Sequence, residues 1–294
     1  MHFSHIDPDP RVSGQGRARL EAAGVRVFAG EGEAEARRIN EGFIKHRSTG
    51  RPFVIAKFAA SLDGKIAATS GDSRWVSGPQ TLAWSHELRT RIDAIAVGVN
   101  TVLVDDPQLT ARIPGAEPAG PEPGRRVEAQ LADRQPLRVV IDSKGRTPAA
   151  AKVLQCGALR QAQGGGSTLI ATTKASSPEL RKQMSDAGAQ VEVLPSDRDG
   201  HVDLPALLDL LGARDVLTLL IEGGGVLLGS FFDQRLVDKL HAVIAPMIIG
   251  GATAPTAVAG RGAARMADAL RLRDVAVDRL GADVLVTGYP PVEA

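Results

Sequence analysis

The sequence predicts an α/β protein built on a mostly parallel sheet with helices on both faces. Through the middle of the chain, short apolar runs rich in β-branched residues alternate with helical segments, which is the pattern of strands joined by helical crossovers. The last two strand-like segments, residues 272–277 and 283–288, have no helix between them. They predict antiparallel strands at one edge of the sheet. A chain of 294 residues can form one large domain or two smaller ones.

Residues 1–48 are predicted to form a separate N-terminal domain, and residues 49–294 the main domain. Arg17–Ala23 is predicted to be helical and Val25–Phe28 to be a short strand. Glu33–His46 is predicted to be a second helix, because acidic residues in its first turn and basic residues at its end suit the helix dipole.

The main domain opens with residues 53–58, a β-branched, aromatic and apolar run that predicts a buried strand. Leu62-Asp63-Gly64 is a turn signal, and the loop beyond it carries Ser73, Arg74 and Trp75. Hydroxyls, a cation and an aromatic ring directly after a buried strand form one wall of many ligand clefts. A surface turn accounts for these residues equally well.

The elements that follow are separated by proline and glycine. The predicted strands are residues 94–99, 137–142, 168–172, 190–194, 216–221 and 240–245, and the predicted helices are residues 79–91, 179–187, 204–211 and 226–234. Ser77 is predicted to cap the first of these helices, and Asn100 a single turn that ends at Asp105-Asp106-Pro107. Residues 114–134, rich in proline, glycine and charge, are predicted to be a surface excursion.

Composition excludes several classes of protein. Formal net charge is +1, from 35 Lys+Arg against 34 Asp+Glu, and only 3% of residues are aromatic, which argues against a nucleic-acid groove. The single cysteine, Cys156, excludes an internal disulfide and a multi-cysteine zinc site, and the six histidines lack metal-ligand spacing, so no metal site is predicted. No apolar run reaches the ~20 residues of a membrane span. The first residues lack the order of a signal peptide, so a cytoplasmic protein is expected.

The strongest local motif is Ile221-Glu222-Gly223-Gly224-Gly225-Val226, between a buried strand and a helix. Glycines there let a phosphate approach the backbone, and free amides at the helix start donate to it. The motif is not a Rossmann fingerprint, because Leu228 stands where the third glycine is needed, and it is not a P-loop. A tight strand–helix turn without a ligand is the alternative. Glu222 ends the strand beside these glycines and is well placed to touch a ligand.

A second group of residues flanks the predicted strand 94–99 in the sequence. Arg89 and Arg112 suit a phosphate through charge-assisted hydrogen bonds worth about 1.5–3 kcal/mol each. Solvent-facing arginines are the alternative. Asp105 and Asp106 read either as paired carboxylates or as turn formers before Pro107.

Residues 57–63, 71–77, 97–107 and 221–225, taken in order, resemble the reductase domain of the bifunctional riboflavin-biosynthesis deaminase–reductase. The resemblance runs from about residue 51 to residue 288. It implies a dihydrofolate-reductase-like three-layer fold, usually paired into a homodimer. It further implies an NADPH-dependent oxidoreductase that reduces 5-amino-6-(5-phosphoribosylamino)uracil to 5-amino-6-(5-phosphoribitylamino)uracil in riboflavin biosynthesis.

The resemblance also implies residue roles. Lys57 and Asp105 are the candidates for catalysis. The residues that would contact the substrate are Ser73, Arg89, Leu109, Arg112 and Glu222. NADPH contacts fall to Ala59, Trp75, Thr101, Asp105, Ser143, Gly224, Gly225, Val226, Leu227, Leu228, Gly229 and Ser230. The family has glycine then proline after the glutamate, and this chain has further glycines.

The N-terminal piece resembles the end of the same family's deaminase domain, through Ile6-Asp7-Pro8-Asp9-Pro10 and Gly14-Gln15-Gly16. The zinc-binding residues of that domain are absent here, so no deaminase activity is expected and a separate deaminase is a possible partner. Two alternative functions stay open. One is a reductase that acts on the diaminopyrimidinone before deamination, and the other is a non-catalytic nucleotide-binding homologue.

Overall fold

The computed structural model describes residues 1–9, 11–111, 135–158 and 167–291. Its contacts divide the chain into two compact units. Unit 1 comprises residues 1–53 and 208–218, and unit 2 comprises residues 54–207 and 219–294. The predicted surface excursion at residues 114–134 lies outside the described residues.

Eleven strands and nine α-helices are numbered here in chain order, and a short 3₁₀ helix spans Met266–Asp268. The strands are β1 (His2–Phe3), β2 (Phe28–Ala29), β3 (Phe53–Ser61), β4 (Ala94–Gly98), β5 (Leu137–Ile141), β6 (Thr168–Thr172), β7 (Ala189–Val193), β8 (Thr218–Ile221), β9 (Lys239–Ala245), β10 (Arg273–Leu280) and β11 (Asp283–Tyr289). The helices are α1 (Gln15–Ala22), α2 (Glu33–Ile39), α3 (Glu41–Thr49), α4 (Pro79–Thr90), α5 (Val99–Asp105), α6 (Lys152–Ala158), α7 (Pro178–Asp186), α8 (Leu204–Ala213) and α9 (Gly225–Asp233). These counts apply to the described ranges.

Unit 1 is held together by contacts of α3, and of the two residues after it, with the distant segment 208–218. His46 Nε2 donates to the Gly212 carbonyl over 2.9 Å, and Arg51 Nε donates to Asp209 Oδ1 over 2.6 Å. A Cβ at Gly212 would lie 1.7 Å from the carbonyl oxygen of Gly50, so only glycine allows this approach. In contrast, neither α1 nor α2 buries any residue.

Two predictions in unit 1 are wrong. The single helix predicted over Glu33–His46 is two helices, because Asn40 interrupts it: its backbone leaves the helical region and its side chain donates to the Ala36 carbonyl. The strand predicted at Val25–Phe28 starts only at Phe28, where it pairs in parallel with β1.

Unit 2 carries a nine-stranded sheet in the order β10-β11-β9-β3-β8-β4-β5-β6-β7. Strands β4 to β7 pair in parallel, β8 pairs in parallel with β4, and β9 pairs in parallel with β3. Strand β11 is antiparallel to both β9 and β10. The mostly parallel mixed sheet with antiparallel C-terminal strands is therefore confirmed. Its central strands are apolar and buried on both faces, as parallel strands covered by helices must be.

The helices that approach the carboxyl ends of the strands start without the predicted caps. Gly78, not Ser77, is the N-cap residue of α4, and Asp283 Oδ2 on β11 accepts from the Gly78 amide at 2.8 Å. Likewise α5 starts directly after Gly98 with no side-chain cap, and Asn100 lies inside the helix. The predicted caps, Ser77 and Asn100, were residues close to the helix starts in the sequence. In the structure, the start of α4 is instead stabilised by Asp283 on the distant strand β11.

Within the described ranges, no helix is both long and apolar enough to cross a lipid bilayer.

Candidate active site

Two cations share one buried carboxylate at the carboxyl end of the central strands. Glu222 follows β8, and its amide donates to the Ala96 carbonyl of β4. Arg89, in the last turn of α4, donates from Nη2 to Glu222 Oε2 at 2.6 Å and from Nε to Oε1 at 3.3 Å. Lys57 Nζ, from the middle of β3, lies 3.9 Å from Oε1. The three side chains are 10–17% exposed, so the group is shielded from solvent on most sides.

The pKa values in this cluster follow from burial and charge together. Burial by itself would raise the pKa of Glu222, but the charges of Arg89 and Lys57 outweigh it and lower the pKa to about 2. Burial lowers the pKa of Lys57, the charge of Arg89 lowers it further, and Glu222 only partly opposes this. With Lys57 protonated, the two cations and one carboxylate carry a net positive charge. Lys57 therefore gives up its proton more readily than an exposed lysine does.

A second group lies along α5. Ser73 Oγ donates to Asp105 Oδ1 at 3.2 Å, and Arg74 Nη2 donates to the Asp105 carbonyl at 3.1 Å. Thr101, one turn earlier on the same helix face, accepts at Oγ1 from the Gly224 amide at 3.3 Å. Helix α5 thus joins the loop that carries Ser73 to the glycine turn after Glu222.

The glycine turn is shaped for a close approach to the backbone. Gly223 has φ +116°, and a Cβ there would lie 2.7 Å from Thr101 Oγ1. Gly224 is the N-cap residue of α9 and has no capping side chain, and a Cβ on it would meet nothing within 4 Å. The space beside Gly224 is therefore open at the start of α9, where a helix can bind an anionic group such as a dinucleotide pyrophosphate through its first amides.

The later residues of this motif are placed differently. Gly225, Leu228 and Gly229 are buried, and a Cβ at Gly229 would lie 2.1 Å from the Ala259 carbonyl oxygen. These positions let α9 lie against the segment 256–260. Any contact from α9 to a cofactor would come from backbone amides of its first turn, with Val226 the most exposed side chain there.

The remaining predicted site residues lie around this centre. Ala59 is half-buried on β3, and Trp75 is 69% exposed in the loop before α4. Leu109 is buried with φ +51°, next to Thr110, whose carbonyl accepts from Arg89 Nη1 at 3.3 Å. Leu227 is half-buried, and the Oγ of Ser230 donates to the Val226 carbonyl. Ser143 lies just after β5. Arg112 lies outside the described residues.

One residue near the cluster escaped the sequence reasoning. His241 on β9 is the parallel partner of Lys57 on β3, so the two side chains share a face of the sheet. Its Nδ1 lies 2.9 Å from Thr287 Oγ1. Its ring packs edge-on against that of Trp84, with 5.4 Å between the ring centroids. Burial, followed by the charges of Lys239 and Lys57, lowers the pKa of His241 to about 4. Only the pairing of β3 with β9, which no local pattern reveals, identifies it.

In the part of the chain that the structure describes, no group of three or more His, Cys, Asp or Glu side chains is arranged to hold a metal ion.

Comparison with known proteins gives one consistent family. Residues 52–286 match the model of the RibD C-terminal domain. The riboflavin biosynthesis protein RibD of Bacillus amyloliquefaciens is 33% identical over 284 residues, which is 97% of this chain and 70% of that protein. Acinetobacter baumannii RibD superposes with a TM-score of 0.80 at 28% identity and covers 99% of this chain and 72% of its own.

A further structural relative is the diaminohydroxyphosphoribosylaminopyrimidine deaminase/5-amino-6-(5-phosphoribosylamino)uracil reductase of Thermotoga maritima. It superposes with a TM-score of 0.75 at 27% identity, and the match covers 99% of this chain and 71% of that one. The family model covers the nine-stranded sheet except the last three residues of β11, and it covers every described residue of the site. The similarity to whole relatives extends across nearly the full chain. The chain belongs to the RibD C-terminal domain family, the reductase family of riboflavin biosynthesis.

Proposed function

We propose that this chain reduces 5-amino-6-(5-phosphoribosylamino)uracil to 5-amino-6-(5-phosphoribitylamino)uracil with NADPH. The observation that carries the proposal is the buried Lys57–Glu222–Arg89 cluster, which lies two residues from an uncapped helix start. A dinucleotide held at the glycine turn would bring its reactive end near a polar, water-poor site. Membership of the RibD C-terminal domain family gives the reaction class.

The glycine turn fits the cofactor's phosphates, because the open space over Gly224 and the free amides of α9 supply both room and donors. When bound, NADPH would supply a hydride to C1 of the ring-opened ribosylamine, whose nitrogen takes up a proton. Thr101 and Asp105 on α5 and Ala59 on β3 are the further residues that would orient the dinucleotide.

Lys57 is the candidate source of that proton. Burial lowers the pKa of Lys57. Its ammonium lies 3.9 Å from Glu222 Oε1, which is too long for a hydrogen bond, so its protons remain available for transfer. Asp105 is the second candidate, since its carboxylate reaches the Ser73 hydroxyl. If Lys57 is the donor, Lys57→Ala is expected to lower kcat roughly 10²–10⁴-fold without unfolding the protein; if Asp105 is the donor, Asp105→Asn is expected to do so. Near-normal turnover in both variants would assign the proton to water.

The hydrogen bonds of Arg89 within the protein leave it fewer N–H groups for a substrate phosphate than an unbonded arginine would have. Three of its N–H groups already donate to Glu222 and to the Thr110 carbonyl. We therefore assign it first to holding Glu222 in place and only secondarily, with Arg112, to the substrate phosphate.

The decisive experiment follows NADPH absorbance after the purified chain is mixed with the phosphoribosylaminouracil. Oxidation of NADPH with formation of the ribitylamino product supports the proposal. Binding of both ligands without oxidation would support the non-catalytic alternative. The same assay with the diaminopyrimidinone substrate distinguishes the pre-deamination reductase, which would turn over that compound faster.

We also propose that deamination is carried out by a separate protein in the cytoplasm, and that residues 1–48 correspond to part of a deaminase domain without its zinc site. This sequence has a single cysteine, so it lacks the ligands of that site. Ammonia release from the diaminopyrimidinone by the purified, zinc-loaded chain would contradict this.

Strand β10 supports the proposal of a homodimer. It is the last strand of the sheet, and Val275 and Val277 on it are 53% and 64% exposed. The centre of β10, Val275-Ala276-Val277, is an exposed apolar run on the outer strand of the sheet, and such an edge is a ready surface for a second copy. We expect Val277→Lys to convert a dimer into a monomer in light scattering, with the conservative Val277→Ile as its control. A wild-type monomer would contradict the dimer.

A further inference from the structure

The amine of Lys57 is withdrawn from water and yet is not held by a hydrogen bond. Lys57 lies in the middle of β3, its side chain is 14% exposed, and its Nζ lies 3.9 Å from Glu222 Oε1. In the part of the chain that the structure describes, Nζ makes no hydrogen bond. In contrast, the exposed Lys182 donates from Nζ to Asp186 Oδ2 at 2.7 Å. The nitrogen of Lys57 is therefore available for chemistry of its own.

The surroundings of this nitrogen favour a neutral, nucleophilic amine. Burial lowers the pKa of Lys57, and the charge of Arg89 lowers it further, while Glu222 opposes the two. Lysines that are desolvated or lie beside another cation are those that attack carbonyl compounds and form imines. Lys57 meets both conditions, because it is largely buried and shares the carboxylate of Glu222 with Arg89.

The same surroundings tolerate an imine in place of the amine. A protonated imine carries its positive charge on Nζ, as the ammonium does, so Glu222 still faces a cation at this position. His241, the parallel partner of Lys57 on β9, adds no opposing charge near pH 7, because burial lowers its pKa to about 4. Conversion of the amine to an imine therefore leaves the charge balance of the cluster unchanged.

The function proposed above brings a suitable carbon next to Nζ. If Lys57 gives a proton to the nitrogen on C1 of the sugar, Nζ lies within hydrogen-bond distance of that nitrogen and close to C1. Once the proton has left, Nζ carries a lone pair. Hydrolysis of the C1–N bond of the substrate would release ribose 5-phosphate, whose open-chain form has an aldehyde at C1.

The phosphate of such a sugar can be bound as the substrate phosphate would be. Three N–H groups of Arg89 donate to Glu222 and to the Thr110 carbonyl, which leaves its other N–H groups for an anion. An aldehyde that carries a phosphate at the far end of the sugar therefore has a partner at each end, Arg89 for the phosphate and Lys57 for C1.

We infer that Lys57 is a covalent binding site for phosphorylated aldoses, with which its amine forms a reversible imine that blocks the substrate site. The inference rests on the proposed function for the position of C1. The lone pair of Nζ attacks the aldehyde carbon and forms the C–N bond, and the carbonyl electron pair moves to the oxygen. That oxygen leaves as water with the two hydrogens of the amine, so no oxidant or reductant is needed. Water reverses the step.

The test incubates the purified chain with ribose 5-phosphate and sodium cyanoborohydride, which reduces the imine to a stable secondary amine. Mass spectrometry of the peptides then locates the added ribityl phosphate group. We expect one group per chain, on Lys57, and none on Lys57→Met. The matched control is Lys182→Met, which should be labelled like the wild type. An unmodified Lys57 in the wild type, or equal labelling of exposed lysines, overturns the inference, and neither result depends on how a variant folds.

Two further arms test the class of ligand and its place. Ribose without a phosphate, at the same concentration, should label Lys57 roughly tenfold less, because it lacks the charge-assisted hydrogen bonds. An excess of the phosphorylated ribitylamino product should protect Lys57, because both molecules would occupy the same site. Equal labelling by ribose and ribose 5-phosphate, or labelling that the product does not reduce, contradicts the inference.

The labelling uses neither NADPH nor a pyrimidine, so its result is separate from that of the reductase assay. A chain that is labelled on Lys57 but does not oxidise NADPH supports this inference and contradicts the proposed function. A chain that reduces the phosphoribosylaminouracil but whose Lys57 stays unlabelled contradicts this inference alone.

Discussion

Glu222 is the residue on which the charge balance of the site depends. Its carboxylate lies between the guanidinium of Arg89 and the ammonium of Lys57, and all three side chains are largely withdrawn from water. Removing the negative charge leaves two buried cations facing each other without compensation. Such a change is far more damaging than the loss of an exposed ion pair.

We therefore expect Glu222→Gln to lower the free energy of unfolding by about 3–5 kcal/mol. NADPH oxidation should fall with it, because Arg89 and Lys57 would lose their orientation. Urea denaturation and the absorbance assay measure the two effects. The matched control is Glu87→Gln, an exposed carboxylate of α4 that pairs with Arg91, which should change stability by less than about 1 kcal/mol. Equal effects of the two substitutions would contradict the buried role.

At the scale of single elements, two adjacent residues of the glycine turn, Gly223 and Gly224, have different backbone conformations and different surroundings. Gly223 adopts φ +116° and lies against Thr101, so a side chain there is strained and sterically opposed. Gly224 has φ −71° and open space around it. We therefore expect the two neighbouring glycines to serve different purposes, Gly223 in the backbone turn and Gly224 in the proposed binding of the cofactor.

Gly223→Ala is expected to destabilise the protein by about 1–3 kcal/mol, because alanine disfavours this backbone conformation. Gly224→Ala should leave stability within about 0.5 kcal/mol but raise the KM for NADPH, because its methyl group projects into the space proposed for the pyrophosphate. Thermal unfolding and steady-state kinetics on both variants check this. A stable Gly223→Ala protein, or an unchanged KM in Gly224→Ala, would contradict the respective role.

At the scale of the whole molecule, acid stability depends on a buried histidine. The pKa of His241 is lowered from 6.5 to about 4 in the folded protein, mainly by burial, so the unfolded chain binds its proton more readily. The stabilisation is fully present above pH 6.5 and is lost as pH falls toward 4. Glu222, with its pKa lowered from 4.5 to about 2, adds a further loss below pH 4.5.

Unfolding free energy should therefore fall between pH 6.5 and pH 4.5 by up to about 1.4 kcal/mol per pH unit from His241. His241→Gln removes this titration, so its pH dependence over the window should be flatter even if the variant is less stable overall. Urea denaturation at several pH values measures both slopes. Parallel slopes in the two proteins would show that His241 does not cause the loss.

Strand and helix positions in the main domain followed from local pattern, because buried parallel strands are continuous apolar runs bounded by glycine and proline. The predicted strand 168–172 has the observed bounds, and most others differ by one or two residues. The cap of α4 was mispredicted because Asp283, which accepts from Gly78, is 205 residues away in the chain. The contact between His241 and Trp84 likewise depends on strand order, which short-range patterns do not encode.

The composition of unit 1 has a consequence for biosynthesis. Its helix α3 contacts Gly212 through His46, and Arg51, two residues after α3, contacts Asp209. Both partners belong to a segment far downstream in the chain. A chain made from its N-terminus by the ribosome therefore cannot complete this unit when residue 53 emerges. The unit must wait for the segment that ends at residue 218, so residues 1–53 reach their final form only after that later segment has been made.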